Sequence, residues 1–287
     1  MGPVKPARHT LVQLTDLHLV ADGAALPHGI DTTALLDRAL RAVEESGLTP
    51  DALVLTGDLT EHGLPQEYRR LREIVEPAAA RLGAPLVYAA GNHDDRAALR
   101  EHLLGVPASP EPLDSVVRVG DLRIVVLDST IPGQPHGALR PAQLERLRAE
   151  LAQPAPAGTV LALHHPPLPS AAPLAASIPL LRREDLADAI AGTDVRLVLA
   201  GHTHVVSAGT LGAVPVWTGG PLATVLDGLA PGAALRGLAA PSLSRIDLFD
   251  ADLITTSLPI DAPRMSDVPS EEMEPTLAAF RAALTVD

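Results

Sequence analysis

The amino-acid sequence predicts an α/β fold, and three observations carry that expectation. Short apolar runs alternate with amphipathic stretches along most of the chain. Of 287 residues, 46% are hydrophobic, enough for a packed core of one large domain or two small ones. Several apolar runs end abruptly on Asp, Asn or His, as strands of an α/β sheet do where they face a ligand crevice.

Residues 10–14 read as the first strand. Residues 33–46 carry Leu35, Leu36, Ala39, Leu40 and Val43 at helical spacing and stop at Gly47. Residues 52–56 form a second strand, 65–82 a helix in which Pro77 predicts a kink or break, and 86–90 a third strand. This alternation implies a parallel sheet with both faces covered. Residues 116–127 read instead as a hairpin turning at Gly120 and Asp121. Residues 141–151 form a helix with proline in its first turn, and strands at 160–163 and 195–200 flank a helix near 183–191. Beyond Gly201, strands at 205–207 and 214–218 and a hairpin over 244–258 around Asp250 predict a later sheet that is largely antiparallel. Residues 1–260 are expected to form one domain. Residues 261–287 read as an acidic tail with a solvated last helix over 271–284.

Composition removes several classes of function. With no cysteine there is no disulfide framework, thiolate nucleophile, Cys-ligated zinc or iron-sulfur cluster, so any metal must sit on His, Asp, Glu or Asn. A net charge of −13 without a Lys/Arg-rich run argues against a grip on polymeric nucleic acid. Asp16 and His18 interrupt the stretch where a signal-peptide core would lie, and no run of about 18 apolar residues occurs, so a cytoplasmic protein without a transmembrane segment is expected.

Five clusters stand at strand ends: Asp16-Leu17-His18, Gly57-Asp58, Gly91-Asn92-His93-Asp94, His164-His165-Pro166 and Gly201-His202-Thr203-His204. Asp16 and His18 are two apart, as are His202 and His204, so on extended backbone each pair points to one side. His164 and His165 are adjacent, so only one of them should face the crevice and the other should support it. The histidines, carboxylates and amide of these clusters make a mixed N/O set suited to Mn, Fe or Zn.

In order and spacing, D-L-H, G-D, G-N-H-D, H-H-P and G-H-T-H resemble the five signatures of the calcineurin-like binuclear metallophosphoesterases, most closely the bacterial class III cyclic-nucleotide phosphodiesterases. The resemblance covers residues 11–259. It implies a layered β-sandwich of two mixed sheets flanked by helices. It also implies two metal ions, iron, manganese or zinc with iron and manganese preferred. One would be held by Asp16, His18, Asp58 and His204, the other by Asp58, Asn92, His164 and His202, with Asp58 shared. Asn92, His93 and His204 would touch substrate, and a homodimer follows by the same resemblance.

The implied reaction is hydrolysis of 3',5'-cyclic AMP, and of cyclic GMP, to the 5'-nucleotide. Two metals about 3.5 to 4 Å apart lower the pKa of a shared water and polarise phosphoryl oxygens, so that hydroxide attacks phosphorus in line. His93 resembles the family's general acid, with Asp94 orienting its ring. Arg96 is a candidate for a phosphate oxygen, for pairing with Asp95 or for capping the next helix, and His62 reads as a solvated loop histidine. Glycerophosphodiesters and 2',3'-cyclic nucleotides are the alternative substrates, and a metal-binding scaffold is the alternative to an enzyme. Five aromatic residues in all leave few rings to stack on a base, so base selectivity should be loose.

Overall fold

The computed structural model describes residues 6–21, 24–170, 172–263 and 265–283. Chain order begins β1 (His9–Leu14), α1 (Thr32–Glu45), β2 (Ala52–Thr56), α2 (Pro65–Leu82), β3 (Leu86–Ala89), a short α3 (Arg96–Ala98), β4 (Ser115–Val119) and β5 (Leu122–Val126). It continues with β6 (Gly137–Ala138), α4 (Pro141–Leu151), β7 (Thr159–Ala162), α5 (Pro173–Ser177), β8 (Leu180–Leu181), α6 (Arg183–Ile190) and β9 (Val195–Ala200). The remainder is β10 (Ser207–Leu211), β11 (Val214–Thr218), β12 (Val225–Leu226), β13 (Gly237–Leu238), β14 (Ser242–Leu248), β15 (Leu253–Pro259) and α7 (Ser270–Ala283).

Two sheets carry the architecture, a five-stranded one ordered β15-β14-β1-β2-β3 and a six-stranded one ordered β10-β11-β9-β7-β5-β4. The period of two along each strand divides the core into layers. Leu11 and Val54 of the first sheet meet Ile124, Val160, Leu197 and Leu199 of the second in a core between the sheets. Val12, Leu14, Leu53 and Leu55 point the other way, onto the Leu36, Leu40 and Val43 face of α1 and the Leu71 and Val75 face of α2. Val125, Leu161 and Val198 pack beneath Leu144 and Leu147 of α4 and Leu186 and Ile190 of α6. The result is a helix, sheet, sheet, helix sandwich.

Local chemistry explains the helix ends. Asp31 Oδ1 accepts from Ala34 N at 2.9 Å and caps α1. Glu67 reaches back to Leu64 N at 3.2 Å to start α2, and Gly83 closes it at φ 67°. The break expected at Pro77 does not occur. Pro77 and Glu73 both lie on the exposed face of α2, so the carbonyl that loses its donor is open to water.

Two further expectations are corrected. The six-stranded sheet is not largely antiparallel: β5, β7, β9 and β11 run parallel, and only the edges β4 and β10 run against them. The hairpin β14–β15 joins the other sheet beside β1. A hairpin's local pattern says nothing about which sheet it extends, which is why the sequence misled here. The strand expected at 205–207 begins at Ser207, because the preceding residues form a loop in which Thr203 Oγ1 donates to Val205 O. In the tail, α7 buries no residue, and Leu284, the expected end of that helix, lies outside the described residues.

Candidate metal centre

The polar clusters meet where strands of both sheets end. Asp16 and His18 follow β1, Asp58 follows β2, Asn92 follows β3, His164 follows β7, and His202 and His204 follow β9. Past β1 and β2 the two loops stay zipped together. Asp16 N donates to Gly57 O (3.1 Å), His18 N to Asp58 O (2.9 Å) and Glu61 N to Leu19 O (3.0 Å). Asp16 Oδ1 then crosses to the second sheet and accepts from His202 N at 2.9 Å. Gly57 and Gly201 allow this approach, since a Cβ on the first would strike the His164 ring and one on the second Thr15 Oγ1.

Extended backbone is not what aims these side chains. Among the described residues seven non-glycine residues have positive φ, and five belong to this cluster: Asp16 (51°), His18 (45°), Asp58 (45°), His202 (72°) and His204 (54°). The expected strand-like alternation of Asp16 with His18, and of His202 with His204, is therefore corrected to pairs of left-handed residues on tight loops. Left-handed backbone costs a non-glycine residue roughly 1 to 2 kcal/mol. Strain gathered in this way at one place marks a functional site rather than a packing accident.

Donor atoms of Asp16, His18, Asp58 and His204 all lie within 4.8 Å of one another, and so do those of Asp58, His164 and His202. Asp58 belongs to both groups, with Oδ2 3.6 Å from His18 Nε2 and 3.3 Å from His164 Nε2. Asn92 Oδ1 stands 3.1 Å from His164 Nε2. All seven side chains that the sequence nominated as ligands thus converge on one centre.

Residues 9–206 match the family model described as calcineurin-like phosphoesterase. This chain belongs to the calcineurin-like phosphoesterases. The phosphoesterase is 41% identical over 256 residues to a probable cyclic nucleotide phosphodiesterase of Rhodococcus erythropolis, covering 89% of this chain and 85% of that one. It is 47% identical over 208 residues to a cAMP/cGMP dual specificity phosphodiesterase of Mycobacterium tuberculosis, covering 72% of this chain and 65%, just under two thirds, of the relative. Its fold is similar to that of a dimetal phosphatase from Danio rerio, with a TM-score of 0.65 at 13% identity over 89% of this chain and 97% of that one.

Calcineurin-like phosphoesterases use two metal ions, and the ring tautomers here fit that pair. His18 Nδ1 donates to Glu61 Oε2 (2.6 Å), His204 Nδ1 to Thr224 O (2.6 Å) and His164 Nδ1 to Thr56 O (2.9 Å). A neutral imidazole has one N–H, so each Nε2 turns a bare lone pair inward. His18 Nε2 and His204 Nε2 face each other at 3.0 Å, and His164 Nε2 faces the Asn92 carbonyl oxygen. His202 works in reverse, donating Nε2–H to Ile178 O at 2.9 Å and leaving Nδ1 free. Lone pairs opposed in this way repel unless positive charge lies between them.

Charges within the cluster act strongly on one another. Burial opposes charge on His164, but the Asp58 carboxylate outweighs it and pushes the ring up to about 9. Burial likewise opposes charge on His18, and the Glu61 hydrogen bond with the Asp58 and Asp16 charges raises it nonetheless. Burial would raise Asp58, yet His164 and His18 hold it well below the carboxylate range. Burial, reinforced by the His164 charge, drives His202 down to about 4.

Several neighbours differ from expectation. Asp94 does not orient His93. Its oxygens accept from Leu59 N (3.1 Å), Gly91 N (2.9 Å) and Tyr68 Oη (3.0 Å), tying the Asn92 loop to the Asp58 loop, because successive side chains at 93 and 94 diverge. Burial and the Asp58 charge push its carboxyl up to about 6. His204 Nδ1 is held by Thr224 O at 2.6 Å, and its Nε2 lies 3.5 Å from Asp16 Oδ1. Arg96 is buried and engaged by Asp128 Oδ2 (2.7 Å), Thr130 O (2.9 Å) and Pro110 O (3.1 Å), while Asp95 itself caps α3. His165 is fully buried behind His202, its ring centroid 4.3 Å away, with Nδ1 on Ser129 Oγ. His62 stays on the exposed loop, with Nδ1 2.8 Å from Glu67 Oε1.

The residue missed by sequence reasoning is Glu61. Its carboxylate holds His18 Nδ1, its backbone carbonyl accepts from His93 Nδ1 at 2.8 Å, and its Oε2 lies 3.6 Å from the same His93 nitrogen. One residue therefore fixes the tautomers of two histidines. A partner of this kind to a metal-ligating histidine typically contributes 10- to 100-fold in metal affinity or activity. Glu61→Ala is expected to lose roughly that much in manganese affinity, read by titration, with Glu61→Gln intermediate because its amide oxygen still accepts. Equal affinity in all three proteins would refute the assignment.

Proposed function

We propose that this phosphoesterase hydrolyses 3',5'-cyclic nucleotides, cyclic AMP and cyclic GMP, to 5'-nucleotides. The observation that carries the reading is the pair of ligand groups sharing Asp58, with His93 at their edge. The names borne by its relatives from Rhodococcus and Mycobacterium support the diester class. Asp16, His18, Asp58 and His204 would hold one cation, and Asp58, Asn92, His164 and His202 the other. Bound there, two cations supply Lewis-acid activation of water and neutralise phosphoryl charge. Iron and manganese are the metals proposed, both suited to a mixed imidazole and carboxylate set.

The chain's own groups do the rest. Asn92 turns its oxygen toward the centre, which leaves its NH2 to donate to a phosphoryl oxygen. His93 is anchored through Nδ1–H on Glu61 O, so Nε2 is the nitrogen presented to the crevice. Protonated there, His93 is placed to deliver a proton to the departing ribose oxygen, with the Glu61 carboxylate 3.6 Å from its Nδ1. His93 N donates to Asp58 Oδ1 at 2.9 Å, so acid and shared ligand are held in register by the backbone.

A cavity of about 220 Å³ opens beside Asn92 and His93, walled by Pro110, Thr130, Ile131 and Pro132 and, among the described residues, without Phe, Tyr or Trp. Tyr68 is buried with its hydroxyl on Asp94, and Trp217 Nε1 donates to Ser244 Oγ. With no such ring lining this cavity, the phosphodiester rather than the base should dominate recognition.

A turnover panel on manganese-reconstituted protein tests the proposal. Cyclic AMP and cyclic GMP are expected within roughly tenfold of each other in kcat/KM, since about 1.4 kcal/mol separates a decade. Both should exceed 2',3'-cyclic AMP and glycerophosphocholine; preference for either of these would transfer the assignment to the broader diesterase reading. Two bound metals with no diester turned over would favour a scaffold. The proposal extends to residues 1–260 as the catalytic domain with 261–287 as an appended tail, to a homodimer readable by light scattering, and to a cytoplasmic location. Among the described residues no helix is long and apolar enough to cross a membrane.

A further inference from the structure

Gln13 shares the face of Leu11 on β1, so it projects into the apolar layer between the two sheets, where it is 1% exposed. Its NH2 group donates twice, to Thr56 Oγ1 at 2.8 Å on β2 of its own sheet and to Ala200 O at 2.9 Å on β9 of the opposite sheet. The carbonyl acceptor at Ala200 determines which end of the amide is nitrogen, since only an N–H can face it. Gln13 Oε1 has no partner. Gly219 makes room for the amide, because a Cβ there would lie 2.8 Å from that oxygen, and Gly219 N also donates to Ala200 O at 2.9 Å.

A buried amide with an unpaired oxygen opposes folding, and an apolar side chain of the same volume would not. What the amide supplies instead is one donor into each sheet. Gln13 and its two partners lie directly behind the centre: Thr56 and Ala200 are the last residues of β2 and β9 before the loops that carry Asp58 and His202, and Gln13 stands one residue before the end of β1, which leads to Asp16. Thr56 also holds a ligand itself, through the carbonyl that accepts from His164 Nδ1. Each ligand group draws on both sheets. His204 from β9 completes Asp16, His18 and Asp58; His164 and His202 from β7 and β9 complete Asp58 and Asn92. The gap between the sheets at this level therefore decides whether both groups close around their ions.

We infer that Gln13 is a positioning residue that bolts the two sheets together beneath the centre and sets the separation of the two ligand groups. It touches neither substrate nor ion, and the inference rests on the two-cation reading of the site. The test is Gln13→Met, which keeps the volume and removes both donors, in the full chain loaded with Mn(II) alone. Wild type is expected to bind two Mn(II) and to show an exchange-coupled pair by electron paramagnetic resonance. The variant is expected to need about tenfold more Mn(II) for half-saturation, in the range typical of lost supports to metal ligands. Its coupling should weaken toward the spectrum of isolated Mn(II). Thr56→Val, which keeps the Ala200 bond, should shift both readouts in the same direction by less. Unchanged titration and coupling in Gln13→Met, even with a lower melting temperature, would reduce Gln13 to a packing residue and overturn the inference alone. Failure of wild type to bind a manganese pair would overturn it together with the two-cation reading.

Discussion

Asp58→Asn is expected to lower bound metal from two ions per chain to one or none and to cut kcat/KM on cyclic AMP by at least about 10³. The size follows from what the side chain does: it is the carboxylate common to both ligand groups, within 3.6 Å of His18 Nε2 and 3.3 Å of His164 Nε2. Lewis-acid stabilisation of a phosphoryl transition state contributes several kcal/mol, and about 1.4 kcal/mol corresponds to each decade of rate. The fold should survive the change. Asparagine has the same shape, its Oδ1 can keep the hydrogen bond from His93 N, and removing the charge relieves the metal-free site of one buried carboxylate. Metal analysis, steady-state kinetics and a melt of the metal-free protein together separate loss of ions from loss of structure. Two retained ions with activity within tenfold of wild type would contradict a bridging role.

How much of this centre was legible from sequence depends on which physical rule each part obeys. The five polar clusters were readable because an apolar strand that stops on Asp, Asn or His must pair or solvate those groups at its end, and five such stops on one chain converge in an α/β sheet; the choice of seven ligands within them came from the resemblance to the metallophosphoesterase signatures. The layers were partly readable, since alternation places Leu11 and Val12 on opposite faces of β1 without saying which face meets the second sheet. Which strands share a sheet was not, because β14 and β15 join β1 from more than 220 residues away and nothing local records the register. The left-handed backbone at Asp16, His18, Asp58, His202 and His204 was also hidden. Glycine is the usual marker of that conformation, and here the side chains that the site requires stand in its place.

The support around the ligands was the least legible. Asp94 follows His93 in sequence, which suggests a pair, whereas Asp94 turns to Gly91, Leu59 and Tyr68, and His93 is held by Glu61, 32 residues earlier. Arg96 presents the same lesson, since its carboxylate partner is Asp128. Neighbours in a motif need not be neighbours in a network. Gln13 carried no signal at all, as a glutamine in a strand reads as a solvent-facing position until a second sheet is placed over it.

His93→Ala is expected to leave both ions in place and to separate substrates by their leaving groups. The ring has no place in the two groups that share Asp58, and the part of His93 that supports a candidate ligand is its backbone N–H on Asp58 Oδ1, which alanine retains. General acid catalysis contributes about 10² to 10⁴ where a poor leaving group must be protonated as it departs. A cyclic nucleotide expels a ribose alkoxide and should lose within that range. An aryl diester expels a phenolate that leaves without help and should lose less than about tenfold, since no proton transfer is needed. The contrast also separates His93 from Glu61. Glu61→Ala removes the carboxylate that holds His18 but keeps the backbone carbonyl that anchors His93, so it should weaken metal binding and depress both substrates, whereas His93→Ala should move the ratio between them. Equal losses on the two diesters, with full metal content, would mean that His93 positions the phosphate without donating a proton, and the acid would then have to be sought in solvent.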